Sequence, residues 1–269
     1  MSLYNPNGLV IYDGPSMINS EPIIMVAVGF TSKSKNSKTG AMLQTYILTR
    51  NVSPLDALKT GADVAICGGC IHRPKVVRVH RYGDDLDHAA RGNCTEKKVR
   101  SCYVQVGQAP QGIWKTFHRG RYSTEWSSED FRDRPVRLGA YGDPAAVPVP
   151  VWERVMRHVT QWTGYTHQSA NMKLHGVLQW CQVSADQVGD SYSAREAGCG
   201  SFRVLAPNEK PASFEVLCPA SEEAGKLTTC ASCMMCSGPS GAHVYISAHG
   251  AGKKHYSATK RRALQLMGV

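Results

Sequence analysis

The stretch CPASEEAGKLTTCASCMMC, residues 218 to 236, sets Cys230, Cys233 and Cys236 at two-residue gaps, with eleven residues back to Cys218 and Pro219 directly after it. Thiolates are soft metal ligands. A single C-x-x-C pair clamps a tetrahedral zinc, but C-x-x-C-x-x-C gathers three thiolates about one centre. That is the arrangement of cubane iron–sulfur clusters, whose fourth cysteine comes from a distance and often precedes a proline. The expectation is a [4Fe–4S] cluster or a zinc ion on Cys218, Cys230, Cys233 and Cys236, with Met234 and Met235 as an apolar wall.

A second group, Cys67, Cys70, Cys94 and Cys102, reads as C-x-x-C with a separated C-x7-C. Four thiols with one tight pair suit a structural zinc that folds a loop-rich insert, and His72, His80 or His88 of the same insert can replace a thiol. Cys181 and Cys199 read as core residues. Asp143, His167 and His249 each fall at or just after a predicted strand, where α/β folds collect functional residues, and are candidate catalytic groups if those strands are parallel neighbours. Neither a phosphate-binding G-x-x-x-x-G-K-[ST] loop, a dinucleotide fingerprint nor a G-x-S-x-G elbow is present, which removes three common chemistries.

The net charge of +10 is segregated. Residues 66–121 hold eleven basic side chains against four acids, and no acid follows Glu223. Such a surplus favours a polyanion, most simply nucleic acid, through phosphate neutralisation. In WKTFHRGRYSTEW, Trp114 alternates with Lys115, Arg119 and Arg121, a mixture suited to stacking and neutralising a single strand. The competing reading is an amphipathic helix whose aromatics face the core. Lys253, Lys254, Lys260, Arg261 and Arg262 form a second basic candidate near the C-terminus.

The elements that must position these groups read as follows. LVIYDG, PIIMVAVGF and AMLQTYIL predict an antiparallel β unit; SPLDALKTG predicts a capped short helix, and VAICGGC a buried strand running into a cysteine-bearing loop. CYVQVG predicts a strand and APQGIWKTFHRG a helix. From Pro135 strands alternate with helices: VRLGAYGDP, the helix VPVWERVMRHVTQWTG, then GYTH, GVLQWCQVSA, an Asp-capped helix DQVGDSYSAREAG, SFRVLA, SFEVLCP, a short helix EEAGK, HVYISAHG, and a C-terminal helix. The expected class is α/β. It comprises a small β-rich part (1–65), a basic cysteine-containing insert (66–134) and a βαβ-rich incomplete barrel or parallel sheet (135–269) with thiol-bound metal sites.

Ten cysteines in 269 residues fall below the density of secreted disulfide scaffolds. MSLYNPNGLVIYDGPS lacks a basic start and a signal-length apolar run, and no stretch approaches the about 18 apolar residues of a membrane helix. The expected setting is a reducing cytoplasm without membrane contact.

Two resemblances add to this reading. SKNSKTGAMLQTYIL, ICGGCIHRP, CYVQVGQAPQGIWKTFHRGRY, GDPAAVPVPVW, TGYTHQ and the C-terminal cysteine stretch together resemble an uncharacterised cysteine-rich family of bacteriophages and mobile elements. This resemblance spans nearly the whole chain and implies the cytoplasm of an infected bacterial host. VAICGGCIHRP followed by VRLGAYGDPAAVP is more distantly similar to the radical-SAM partial barrel, with Asp143–Pro144 where that fold has an acidic residue and proline. The C-x3-C-x2-C of that fold is absent after the first strand. The leading expectation is a phage-type metal-cluster protein that binds nucleic acid. An iron–sulfur enzyme, and a phage factor that binds a host protein, are the alternatives.

Overall fold

A computed structural model describes residues 6–32, 37–80, 94–238, 241–249, 253, 255 and 256. These make β1 (Gly8–Pro15), β2 (Pro22–Val28), β3 (Leu43–Thr49), helices α1 (Pro54–Thr60) and α2 (Val64–Cys67), β4 (Lys75–His80), β5 (Cys94–Val99) and α3 (Ala109–His118). There follow β6 (Val136–Tyr141), α4 (Val149–Met156), β7 (Trp162–Thr163), β8 (Tyr165–Thr166), β9 (Gln182–Ala185) and α5 (Val188–Glu196). The last elements are β10 (Ser201–Leu205), β11 (Val216–Leu217), the one-turn α6 (Cys230–Cys233) and β12 (His243–Ser247). The chain divides into two units, residues 1–70 with 104–248, and residues 71–103 with 249–269.

In the first unit β1, β2 and β3 form the expected antiparallel meander. β2 and β3 are buried along almost their whole lengths, which is why both read as near-continuous apolar runs. β3 then pairs parallel with β6, and β6 with β7. β8, β9, β10, β12 and β11 form a second, all-parallel sheet. Only Gly164 separates β7 from β8, so the two five-stranded sheets follow one another along a single strand path. The α/β class is as expected.

The unit boundaries differ from the sequence divisions for two physical reasons. Pairing of β3 with β6 joins the β-rich start to the second half. Trp114 of α3 donates its Nε1–H to the Thr49 carbonyl at 3.0 Å, which ties residues 104–134 to the same unit.

Several elements differ locally. VAIC forms the helical turn α2 rather than a strand, and both edges of β3 are taken by β2 and β6. CYVQVG forms no strand, and EEAGK only a turn. The helix from Val149 stops at Met156. Met172–Gln179 is a 3-10 helix, so the strand expected from Gly176 begins at Gln182. α5 is capped by Gln187 with Asp190 closing a capping box, and Asp186 is left for other work.

The second unit pairs β4 with β5 antiparallel, from Lys75 opposite Val99 to His80 opposite Cys94. His72 Nδ1 lies 2.8 Å from Ser101 Oγ, and its ring stacks on Tyr256. Lys254, Lys260, Arg261, Arg262 and the Cys94 side chain lie outside the described residues. Among those described, no helix is long and apolar enough to cross a membrane.

A buried ion pair secures the β10–β11 connection. Arg203 has a fully buried side chain, and its guanidinium donates Nε–H to Glu215 Oε1 at 2.8 Å, Nη2–H to Glu215 Oε2, and Nη1–H to Glu209. Ser191 Oγ and Ala212 N also donate to Glu215, at 2.8 and 2.7 Å. Burial works to raise the Glu215 carboxyl. Arg203, Ala212 and Ser191 more than offset it and hold the group below the ordinary glutamate value. The pair therefore contributes stability above the pKa of unfolded glutamate and loses it as pH falls through the lower folded value. Glu215→Gln, which leaves Arg203 only the Glu209 carboxylate as an ionic partner, should cost up to about 3 kcal/mol in denaturant unfolding at neutral pH. It should also flatten the acid limb of the stability–pH curve.

Candidate metal centre and polar cluster

The cysteine run is held by backbone bonds before any metal is considered. Cys218 N–H continues the ladder beyond β11 by donating to Tyr245 O at 2.9 Å, and Pro219 ends that ladder because it has no N–H to offer. The chain returns to α6, where Cys230 N–H donates to Lys38 O at 2.7 Å. Three-residue spacing in this single turn puts Cys230 and Cys233 on one face. Met234 then adopts a left-handed conformation (φ 57°) that turns the chain, so that Cys236 O accepts from Gly164 N–H at 3.3 Å. Gln182 Nε2 donates to Met235 O and Ala242 O at 3.0 and 2.9 Å.

These bonds bring Cys218, Cys230, Cys233 and Cys236 to the wall of one cavity of about 20 Å³. That is room for about one small atom or ion beyond the van der Waals walls. The remaining lining is largely apolar, from Met234, Met235, Val244 and Ala220. Tyr165 also lines it, and its ring packs on Phe202 with centroids 4.6 Å apart. Burial pushes the Cys236 thiol up to about 12; Tyr165 opposes the rise and the other three sulfurs add to it. Four sulfurs around one apolar cavity, with a hydroxyl donor beside them, are a donor set that suits zinc or an iron–sulfur cluster.

A polar cluster lies at the carboxyl ends of parallel strands. Gly142, after β6, has φ 81°, and a Cβ there would lie 2.6 Å from Ile47 O, so this turn requires glycine. It delivers Asp143, 7% exposed, whose carboxyl accepts from Thr166 Oγ1 and His167 N–H at 2.8 Å each, Ala145 N–H at 3.0 Å and Gln168 Nε2 at 3.4 Å. Gln168 Nε2 also donates to Cys67 O at 3.1 Å, and Gly68, at φ 52°, has no room for a Cβ against the Gln168 side chain. The C-x-x-C loop is thereby fastened to the turn that carries His167. Burial lowers the His167 pKa, but the Cys70 thiol and the Asp186 carboxyl beside it raise the ring well above its ordinary value.

The candidates thus sort by unit. Asp143, His167, Cys67 and Cys70 lie in the first unit; Cys94, Cys102 and His249 belong to the second, where the His249 ring faces Tyr103. Cys181 is a buried thiol in the core, with a pKa raised by burial and then by Asp143; Cys199 is half-buried. Lys115, Arg119, Arg121 and Lys253 are exposed. Their aromatic neighbours are packed inward: Trp114 is half-buried and bonded to Thr49, Tyr122 is 7% exposed, and the Arg154 guanidinium covers Trp126 at 4.0 Å. The sequence reading missed Tyr165, Thr166, Gln168 and Asp186. Asp186 follows β9 as His167 follows β8, so the strand-end rule that singled out His167 would have found it.

Asp143→Ala leaves the Thr166 and Gln168 donors and two backbone N–H groups without their acceptor. It should lower unfolding free energy by roughly 3 kcal/mol, since each stranded buried donor costs about 1–3 kcal/mol less whatever water recovers. Guanidinium titration of the variant beside the parent reads this directly. Set against known proteins, no family model, no curated protein and no solved structure matches the chain.

Proposed function

We propose that the chain is a metalloprotein in which Cys218, Cys230, Cys233 and Cys236 hold one four-thiolate centre, and that its exposed basic side chains bind nucleic-acid phosphate. The observation that carries the first half is the meeting of all four cysteines, drawn from α6, the turn after it and the end of β11, on one small apolar cavity. The four sulfurs suit either group by type and spacing, and the cavity, with room for about one small atom or ion, favours a single zinc. Zinc takes four thiolates about a single ion, whereas the C-x-x-C-x-x-C spacing with a distant Cys-Pro is that of a cubane. Met234 and Met235 would keep water away.

For the second half, Lys115, Arg119 and Arg121 stand exposed around the end of α3 while the aromatics beside them serve the interior. The support is therefore for phosphate neutralisation rather than base stacking. A phage-type protein in the cytoplasm of an infected bacterium meets both nucleic acid and the reducing conditions that keep thiols available. A second reading, an iron–sulfur enzyme, is favoured by one observation. Asp143 and His167 meet at the carboxyl ends of parallel strands, where α/β enzymes place their chemistry.

Metal analysis of anaerobically purified protein tests the first half. One zinc, or about four irons with broad absorbance near 400 nm, is expected, and Cys233→Ser should lose it; unchanged metal content in that variant refutes the centre. Binding to a generic single-stranded oligonucleotide should weaken linearly in log–log against salt. Replacing Lys115, Arg119 and Arg121 together by alanine should reduce that slope by about 2. Absence of binding even at low salt removes the nucleic-acid half and leaves a protein partner as the use of the basic face.

A further inference from the structure

Three of the four C-terminal cysteines are placed by regular structure. Cys230 and Cys233 sit in the single turn of α6, and Cys218 N–H extends the β11 ladder to Tyr245 O. Cys236 comes later, in a turn that Ser237 N–H closes on Met234 O at 3.1 Å. The direction of its side chain is set by the two peptide planes that flank its α-carbon, because each plane is rigid.

Both planes are fastened by one residue. Gln182, at the start of β9, is wholly buried. Its Nε2 donates to Met235 O at 3.0 Å and holds the plane that ends in Cys236 N. Its backbone N–H donates to Gly164 O at 2.9 Å, and Gly164 N–H donates to Cys236 O at 3.3 Å, which holds the plane on the other side. Gln182 Nε2 also donates to Ala242 O at 2.9 Å, and the same carbonyl accepts from Ser201 N–H of β10 at 3.1 Å. The amide is thus moored to the sheet on one side and to the cysteine turn on the other. Gly200 keeps space for it, since a Cβ there would lie 2.8 Å from Gln182 Nε2 and 2.7 Å from Ala242 O.

We propose that Gln182 is a positioning residue of the four-thiolate centre: by holding both peptide planes around Cys236 it aims that sulfur at the cavity and sets how tightly the metal is bound. The inference rests on the reading of the four cysteines as one metal centre. A neutral amide supplies two donors without bringing a charge beside the sulfurs. An apolar side chain of the same length would fill the space but leave the Met235 carbonyl without its tether. Ordering the turn would then oppose capture of the ion, whereas a turn already held loses little freedom when the last sulfur binds. Partners that orient metal ligands from behind typically contribute about 10–100-fold in metal affinity.

Chelator competition for zinc on the full, anaerobically purified chain is the test. Gln182→Met keeps the length of the side chain and removes both donors, and it should weaken zinc binding about 10–100-fold. Glu215→Gln, which loosens the same sheet but makes no bond to the cysteine turn, should leave zinc affinity unchanged while both variants are folded by circular dichroism. Cobalt(II) gives a second readout. The thiolate charge-transfer band of folded Gln182→Met protein should weaken as Cys236 leaves the ion, a change that general loosening does not produce. Folded Gln182→Met protein that binds zinc as tightly as the parent overturns the proposal, and so does an equal loss of affinity in Glu215→Gln. If Gln182→Met does not fold, Gln182→Asn, whose amide falls one methylene short of Met235, is read by the same two measurements. Failure of the centre itself appears instead as unchanged metal in Cys233→Ser, so the two ideas fall separately.

Discussion

A single buried carboxyl group is the point on which the carboxyl edge of the parallel strands depends. Asp143 is almost removed from water, and its two oxygens accept from four donors on two stretches of chain. Its own backbone N–H donates to Ile66 O, so the same residue also holds α2. A buried acceptor of this kind can keep its place only if the donors stay where they are, because each donor left facing an apolar interior loses its water without replacement. The position of the C-x-x-C loop relative to the His167 turn is therefore a consequence of satisfying one carboxyl group. Packing alone would leave these loops free to slide.

The thiol run obeys a different constraint. Its cavity is too small and too apolar to solvate charge, and burial correspondingly favours the neutral thiol at Cys236. Backbone bonds to Lys38, Gly164 and Tyr245 nevertheless place the four sulfurs there. Four thiols that gain little from one another while neutral are thus carried to one cavity by bonds from three separate parts of the unit. A metal that displaces their protons would convert crowding into bonding and add its binding energy to folding.

What the sequence made legible follows the range over which each force acts. Apolar runs predicted β1, β2 and β3 because burial on both faces leaves a local imprint, and alternation of strands with helices predicted the parallel order. Cysteine spacing predicted the four-thiol set because its members lie within nineteen residues. VAIC, by contrast, has strand composition yet forms a helical turn, whose Ile66 carbonyl accepts from the backbone N–H of Asp143, far away in sequence. The aromatics around Lys115 carry no mark of direction; Trp114 faces inward because Thr49, far away in sequence, offers a carbonyl. Gln168 was invisible for the same reason, since its partner Cys67 is 101 residues distant.

The path Thr163–Gly164–Tyr165–Thr166 joins β7 to β8, with Thr163 and Tyr165 on the thiol cavity and Thr166 on Asp143. Side chains in an extended segment alternate between faces, so the loss or gain of one residue here would exchange them. Tyrosine would meet the carboxyl cluster and a threonine the sulfurs. This tetrapeptide is thus a place where length matters more than composition. Conservative replacements can be absorbed, whereas a single-codon insertion or deletion would dismantle two sites at once, and related chains should vary in length elsewhere.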